Sequence, residues 1–79
     1  MPKRGIDYVK DVISYLARDG FKNEVPGSKL RRAISVCVSF DAATISKYVR
    51  MMIDLEIISS IGGGLYRINL GEVLKLEAV

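Results

Sequence analysis

The chain has 79 residues, 49% of them hydrophobic, and a formal net charge of +3 at pH 7. That length fits one domain and leaves little room for a deep substrate pocket, while the apolar content is enough for a packed core and argues against disorder. One cysteine and no histidine exclude a disulfide-stapled scaffold, a Cys/His zinc site and histidine-based acid–base catalysis.

Residues 6–19 have the period of a helix. Ile6, Val9, Ile13 and Leu16 recur at three- and four-residue spacing, Val12 and Ala17 widen the stripe, and Lys10, Asp11, Ser14, Arg18 and Asp19 fall mostly opposite. Gly20 comes next as a natural helix terminator, because glycine takes the left-handed conformation without steric cost. Residues 21–27 are expected to be a connection, punctuated by Pro26-Gly27. Ser28 can cap a second helix over 28–38, with Leu30, Ala33, Ile34 and Cys37 on one face. Residues 34–40 also alternate as a strand would, so the two periods compete there. The helical reading is preferred because the strongest helix in the chain begins directly after this segment. Asp41 is a good N-cap, and residues 42–55 carry Ile45, Val49, Met52 and Leu55 on one face. Two helices joined by about three residues are the signature of a helix-turn-helix.

Residues 57–61 and 65–70 are two β-rich runs separated by Gly62-Gly63-Gly64, which predicts a hairpin over 57–70. Gly71 should break it, and residues 72–79 can form a short helical tail carrying Val73, Leu74 and Leu76. The glycine run is expected to be a turn and not a phosphate cradle, since it lacks the strand–glycine–helix context and the Lys-Ser/Thr of nucleotide sites. The fold class is therefore α+β and mostly helical, in a single domain.

The charge is unevenly placed. Residues 1–50 hold ten Lys/Arg against five Asp/Glu, while residues 51–79 hold two against four. Segment 22–50 alone has six cations against Glu24 and Asp41, which suggests a polyanion surface there. Lys29, Arg31 and Arg32 open the second helix, where the helix dipole favours anions, so a phosphate partner would offset the repulsion. The nine acids are scattered, with no pair suited to general acid–base work. No catalytic residue, cofactor, metal or small-molecule ligand is expected.

The run Thr44-Ile45-Ser46-Lys47-Tyr48-Val49-Arg50-Met51-Met52-Ile53-Asp54-Leu55-Glu56-Ile57-Ile58 resembles the recognition helix and first wing strand of winged helix-turn-helix DNA-binding domains. Gly64-Leu65-Tyr66-Arg67-Ile68 is similar to the end of their wing. The resemblance covers residues 6–70, and in size and tail the chain is also similar to small regulators of archaeal viruses and plasmids. It implies three helices followed by a two-stranded wing and a short tail helix. One departure concerns Glu56, which stands where the family usually has glycine. A left-handed Glu costs about 1 kcal/mol, so a differently built helix end is expected.

In this fold the recognition helix enters the major groove. The resemblance thus implies DNA contacts from Ala43, Thr44, Ser46, Lys47 and Arg50, with Lys29, Arg31 and Arg32 on the backbone and Arg67 as the wing's cation. Ala43 can sit against a thymine methyl, the hydroxyls of Thr44 and Ser46 suit phosphates or bases, and Lys47 can reach guanine or phosphate. Tyr48 is expected to pack. Cys37 is expected to be a small buried hydrophobe, with an intersubunit disulfide open only in a hyperthermophile. A core of this size is marginal alone. Tyr8, Val12, Tyr15, Val73, Leu74 and Leu76 remain as apolar surplus and are expected to form a homodimer interface. Val36, Met51 and Ile53 are likewise left over by the core stripes.

The expected function is sequence-specific binding of double-stranded DNA by a homodimeric transcriptional regulator, without enzymatic activity. A winged-helix protein–protein adaptor without DNA binding is the alternative, favoured by the weak wing charge and the modest net charge. No stretch of about 18 apolar residues is present, and Met-Pro-Lys-Arg-Gly leads into an amphipathic pattern and not an apolar signal core. No membrane association and a cytoplasmic location are therefore expected.

Overall fold

α1, Gly5–Arg18, opens with the Asp7 carboxylate accepting the Arg4 N–H at 3.0 Å. It closes on Gly20 at φ 90°, where Gly20 N–H donates to Ala17 O and Phe21 N–H to Leu16 O at 2.9 Å. These are the two bonds of a Schellman cap, and they need the left-handed residue that glycine supplies. The structure, a computed structural model, describes residues 4–77, with side chains described from Arg4 to Lys75.

The segment expected to be a plain connection contains a strand. β1, Glu24–Pro26, pairs antiparallel with β3, Leu65–Ile68, which in turn pairs with β2, Ile58–Gly62. The expected hairpin is present as β2 and β3, but the sheet is three-stranded in the order β1-β3-β2, which corrects the expectation of two strands. Three residues ending in proline are too short to show a period of two. What makes them a strand is pairing with residues about forty positions away, with Ile68 N–H donating to Asn23 O at 2.6 Å and Gly27 N–H to Gly64 O at 2.7 Å.

That pairing also displaces the expected cap of the second helix. α2 spans Gly27–Cys37 with Pro26 at the N-cap position, so Ser28 lies inside the first turn. Residues 34–37 are helical, and the competing strand period is not realised there. α3 spans Ala42–Asp54 and starts on Asp41, whose carboxylate accepts the Thr44 N–H at 2.9 Å.

The core-facing side of α3 keeps Ile45, Val49 and Met52 of the expected stripe, but its centre is Tyr48 and it leaves out Leu55. Tyr48 and Met52 are buried, Ile45 and Val49 are half-buried, and Leu55 is exposed just past the helix end. Glu56 takes the left-handed conformation at φ 63°, with its N–H donating to Ile53 O and Ile57 N–H to Met52 O, both at 2.9 Å. The helix thus ends in the same capping geometry as α1, and the expectation of a differently built end is corrected.

In the hairpin, Gly63 and Gly64 form the two-residue turn, at φ 61° and 75°. Positive φ at both central positions is what the turn type matching strand twist requires. A register shift between Ser60 and Gly62 sets a bulge at Ile61. α4 spans Leu70–Glu77, so it begins earlier than expected, and Gly71 lies within it instead of breaking the chain. Asn69 O accepts the N–H groups of Glu72 and Val73, which draws the turn into the helix. Residues 78 and 79 of the expected tail lie outside the described residues.

The core sits between the helices and the inner face of the sheet. Val9, Val12 and Leu16 of α1 meet Leu30, Ala33 and Ile34 of α2, and Val25, Ile58 and Ile68 close it from the sheet. The chain is a small α+β fold, mostly helical, with four helices and a three-stranded antiparallel sheet among the described residues.

Candidate nucleic-acid interface

α2 ends because Val38 N–H and Ser39 N–H both fold back on Ile34 O, at 2.8 and 3.3 Å. Ser39 Oγ then accepts the Asp41 N–H at 3.1 Å, and Asp41 caps α3. A short hydrogen-bonded segment thus turns the chain from one helix into the next. Burial of Tyr48 and Met52 fixes the rotation of α3 about its own axis, and the side chains on the far side are presented to solvent as a consequence.

That far side is a coherent face. Ala43, Ser46, Lys47 and Arg50 are exposed along it, and with Met51, Asp54 and Leu55 they line a shallow groove. Its middle is cationic, with Lys47 and Arg50, and its C-terminal end carries the acid Asp54, so a polyanion is favoured over the middle turns. Arg31 reaches across from α2 and donates from Nη2 to Ser46 Oγ at 3.4 Å. A guanidinium from the preceding helix is therefore delivered onto the α3 face. Lys29 and Arg32 are also exposed on α2. Lys29, Arg32, Lys47 and Arg50 have no ion pair or side-chain hydrogen bond among the described residues. No described residue neutralises their charge.

Two expected site residues are placed differently. The Thr44 hydroxyl donates to Asp41 Oδ2 at 3.1 Å and the side chain is half-buried, so its proton is committed to the cap and only its acceptor lone pairs remain. Arg67 is exposed on the outward face of β3, opposite Glu24 of β1 and Ser59 of β2 in register. It does not line the α3 groove, and it faces an acid across the strand pair.

The expected dimer residues divide in the same way. Val12 is 0% exposed and Val73 is 8% exposed, both within the chain's own core, so neither is available to a second subunit. Tyr8 stacks edge-to-face on Tyr48, with centroids 6.2 Å apart and planes at 82°, and Tyr8 and Tyr15 both pack half-buried against the core. Leu74 remains, 64% exposed. The Leu76 side chain lies outside the described residues. Cys37 is half-buried and not the fully buried hydrophobe expected.

Phe40 was not among the expected site residues, and it is 86% exposed in the turn that leads into α3. Its position directly before the Asp41 cap was the available signal. An apolar residue there usually packs on the fourth helical residue as a hydrophobic staple, which here is Ile45, and the structure leaves the ring outside.

Among the described residues no three His, Cys, Asp or Glu side chains gather as a metal site, and no helix is long and apolar enough to cross a membrane. No protein-family model, curated protein or solved structure matches the chain. The functional reading therefore rests on geometry and charge.

Proposed function

We propose that this chain is a sequence-specific double-stranded DNA-binding protein of the winged helix-turn-helix kind, acting in the cytoplasm as a homodimeric transcriptional regulator. The observation that carries the reading is the α3 face: Ala43, Ser46, Lys47 and Arg50 stand exposed on one side of a helix whose other side is locked by Tyr48 and Met52. A helix about 10–12 Å across fits the major groove, and short side chains at its start let it approach the base edges closely. Lys47 and Arg50 then reach base edges or phosphates, while Lys29, Arg31 and Arg32 of α2 serve the backbone. The β2–β3 hairpin takes the part of the wing. With one cation in its strands, Arg67 opposite Glu24, it adds little charge to the contact.

The dimer contact is assigned to the outer side of α4, where Leu70 and Leu74 are exposed. Pairing there would set two copies of α3 about 34 Å apart for successive major grooves.

Binding of the full chain to a random duplex across a salt series tests the reading. A DNA binder loses affinity steeply as salt rises, with a slope that counts the phosphates contacted. Selection from a random duplex pool then tests specificity, and a palindromic winner supports the dimer. If no duplex is bound at low salt, the adaptor reading replaces this one.

A further inference from the structure

Among the described residues the most exposed large apolar side chain directly precedes α3, the helix that carries Lys47 and Arg50. Phe40 is 86% exposed, and the next four residues are Asp41, Ala42, Ala43 and Thr44 at the start of α3. The local sequence offers the ring a place indoors. Phe40 precedes the N-cap Asp41, and Ile45 is the fourth residue of the helix, the pairing used by a hydrophobic staple. Ile45 is itself only half-buried against the core, so apolar surface is available one turn away. Seven other large apolar side chains are exposed among the described residues, all of them aliphatic and none above 64%, so Phe40 is the one aromatic of the set; burial of an aromatic ring is among the largest contributions open to a small chain. An aromatic left in water under these conditions calls for a partner.

The surroundings indicate which partner. Before Phe40 in the chain, Val38 is half-buried against the core and Val36 is 55% exposed at the end of α2, while on the α3 side Asp41, Ala42 and Ala43 are small or polar, so no apolar run joins Phe40 to that helix. Asp41 is occupied by the Thr44 N–H and hydroxyl. Ala42 and Ala43 are exposed and shorten the helix surface at this end, and Ser46, Lys47 and Arg31 lie one turn on. In a major groove the apolar feature that base edges display is the thymine 5-methyl group, and alanine and phenylalanine are among the side chains that meet it. Phosphates, by contrast, offer nothing to an apolar ring.

We infer that Phe40 is a base-reading residue which, together with Ala43, makes apolar contact with a thymine 5-methyl group at the edge of the site read by α3. The inference rests on the DNA-binding reading and adds to it a base identity and a residue.

The test uses the full chain and the tightest duplex selected from a random pool. Each thymine of that duplex is replaced in turn by deoxyuridine, which removes the methyl group and leaves the hydrogen-bonding edge unchanged. At one thymine the wild-type protein should lose about fourfold in affinity, the worth of one buried methyl group. Phe40→Ala should bind the thymine and deoxyuridine forms of that position equally, and Phe40→Leu should keep part of the discrimination. Because the side chain is exposed, both variants should keep the wild-type circular dichroism. The inference is overturned if Phe40→Ala retains the full thymine preference, weakens binding equally on every duplex, or changes only self-association. A selected site with no fixed thymine overturns it as well. In those cases wild-type binding still stands and only the role of Phe40 is lost. Absence of wild-type binding to any duplex removes the DNA reading itself, and the role of Phe40 with it.

Discussion

Asn69 holds the end of the recognition-helix candidate through Glu56. Its side-chain amide donates to the Glu56 carbonyl and to Ser59 Oγ at 3.0 Å, while its own N–H donates to Ile57 O at 2.8 Å. Glu56 is the one non-glycine residue at positive φ among the described residues. The clamp therefore sits on the strained residue, at the point where α3 hands the chain to β2.

The strain and the clamp should be separable. Glu56→Gly is expected to stabilise the fold by about 0.5–1 kcal/mol, since the relief of the left-handed conformation exceeds the entropy added to the unfolded chain. Asn69→Ala should cost about 1 kcal/mol or somewhat more, because it leaves a carbonyl without its donor. Urea denaturation of both variants measures this. An unchanged midpoint for Asn69→Ala would show that water replaces the amide at no cost.

Lys47 distinguishes base reading from phosphate contact. If it reads guanine, Lys47→Ala should lose about 1–3 kcal/mol on the selected site and relax preference at one position. If it meets phosphate, affinity should fall evenly across sequences and the salt slope should drop by about one unit. Anisotropy titrations on matched and random duplexes decide, and equal wild-type and variant affinities on all of them would show that the α3 face is not the contact.

The division of labour between Asp41 and Thr44 predicts a contrast between stability and binding. Asp41→Ala removes the acceptor of both Thr44 bonds and should cost about 1 kcal/mol in thermal or urea unfolding. Thr44→Val keeps the backbone donation and should cost less. Its effect on DNA affinity should be smaller than that of Lys47→Ala, since its hydroxyl proton already faces Asp41. A Thr44→Val variant that loses more affinity than Lys47→Ala would reverse this assignment.

For assembly, neighbouring residues of α4 should behave oppositely. Leu74→Glu changes a side chain that is 64% exposed and should dissociate the dimer in sedimentation while helix content survives. Val73→Ala opens a gap in the core and should lower stability by about 1–3 kcal/mol in the monomer itself. Deleting residues 72–79 would combine both effects, so the point variants are the cleaner measurement. Wild-type protein that sediments as a monomer at micromolar concentration would remove the dimer.

Much of the helical framework was legible because its signals are local. Gly20 closes α1 with a bond three positions back and lets Phe21 bond five positions back, and Asp41 opens α3 with a bond three positions ahead. The Gly63-Gly64 turn likewise depends only on the φ values its own residues can take. Lys47 and Arg50 could be placed on an outward face because a helical period needs no distant partner.

The expectations that failed depended on contacts far along the chain. β1 exists because Val25 lies opposite Tyr66 and is buried beneath the sheet, and three residues cannot announce a partner forty positions away. Tyr48 is buried more deeply than Ile45 and Val49 of the expected stripe, with Tyr8 of α1 against its ring, and periodicity does not tell which apolar neighbour finds a partner. Val12 and Val73 were surplus on a helix-by-helix reading, yet α1 and α4 enclose them in one core.

The sequence by itself determined where most helices begin and end, the hairpin turn, and the concentration of cations between residues 22 and 50, because capping, turn geometry and charge are properties of a few adjacent residues. The tertiary structure alone decided the third strand, the inward turn of Val12 and Val73 and the outward placement of Phe40. Each of those is set by which groups, remote in the chain or competing locally, exclude water from one another, and burial of that kind has no value until the partners have met.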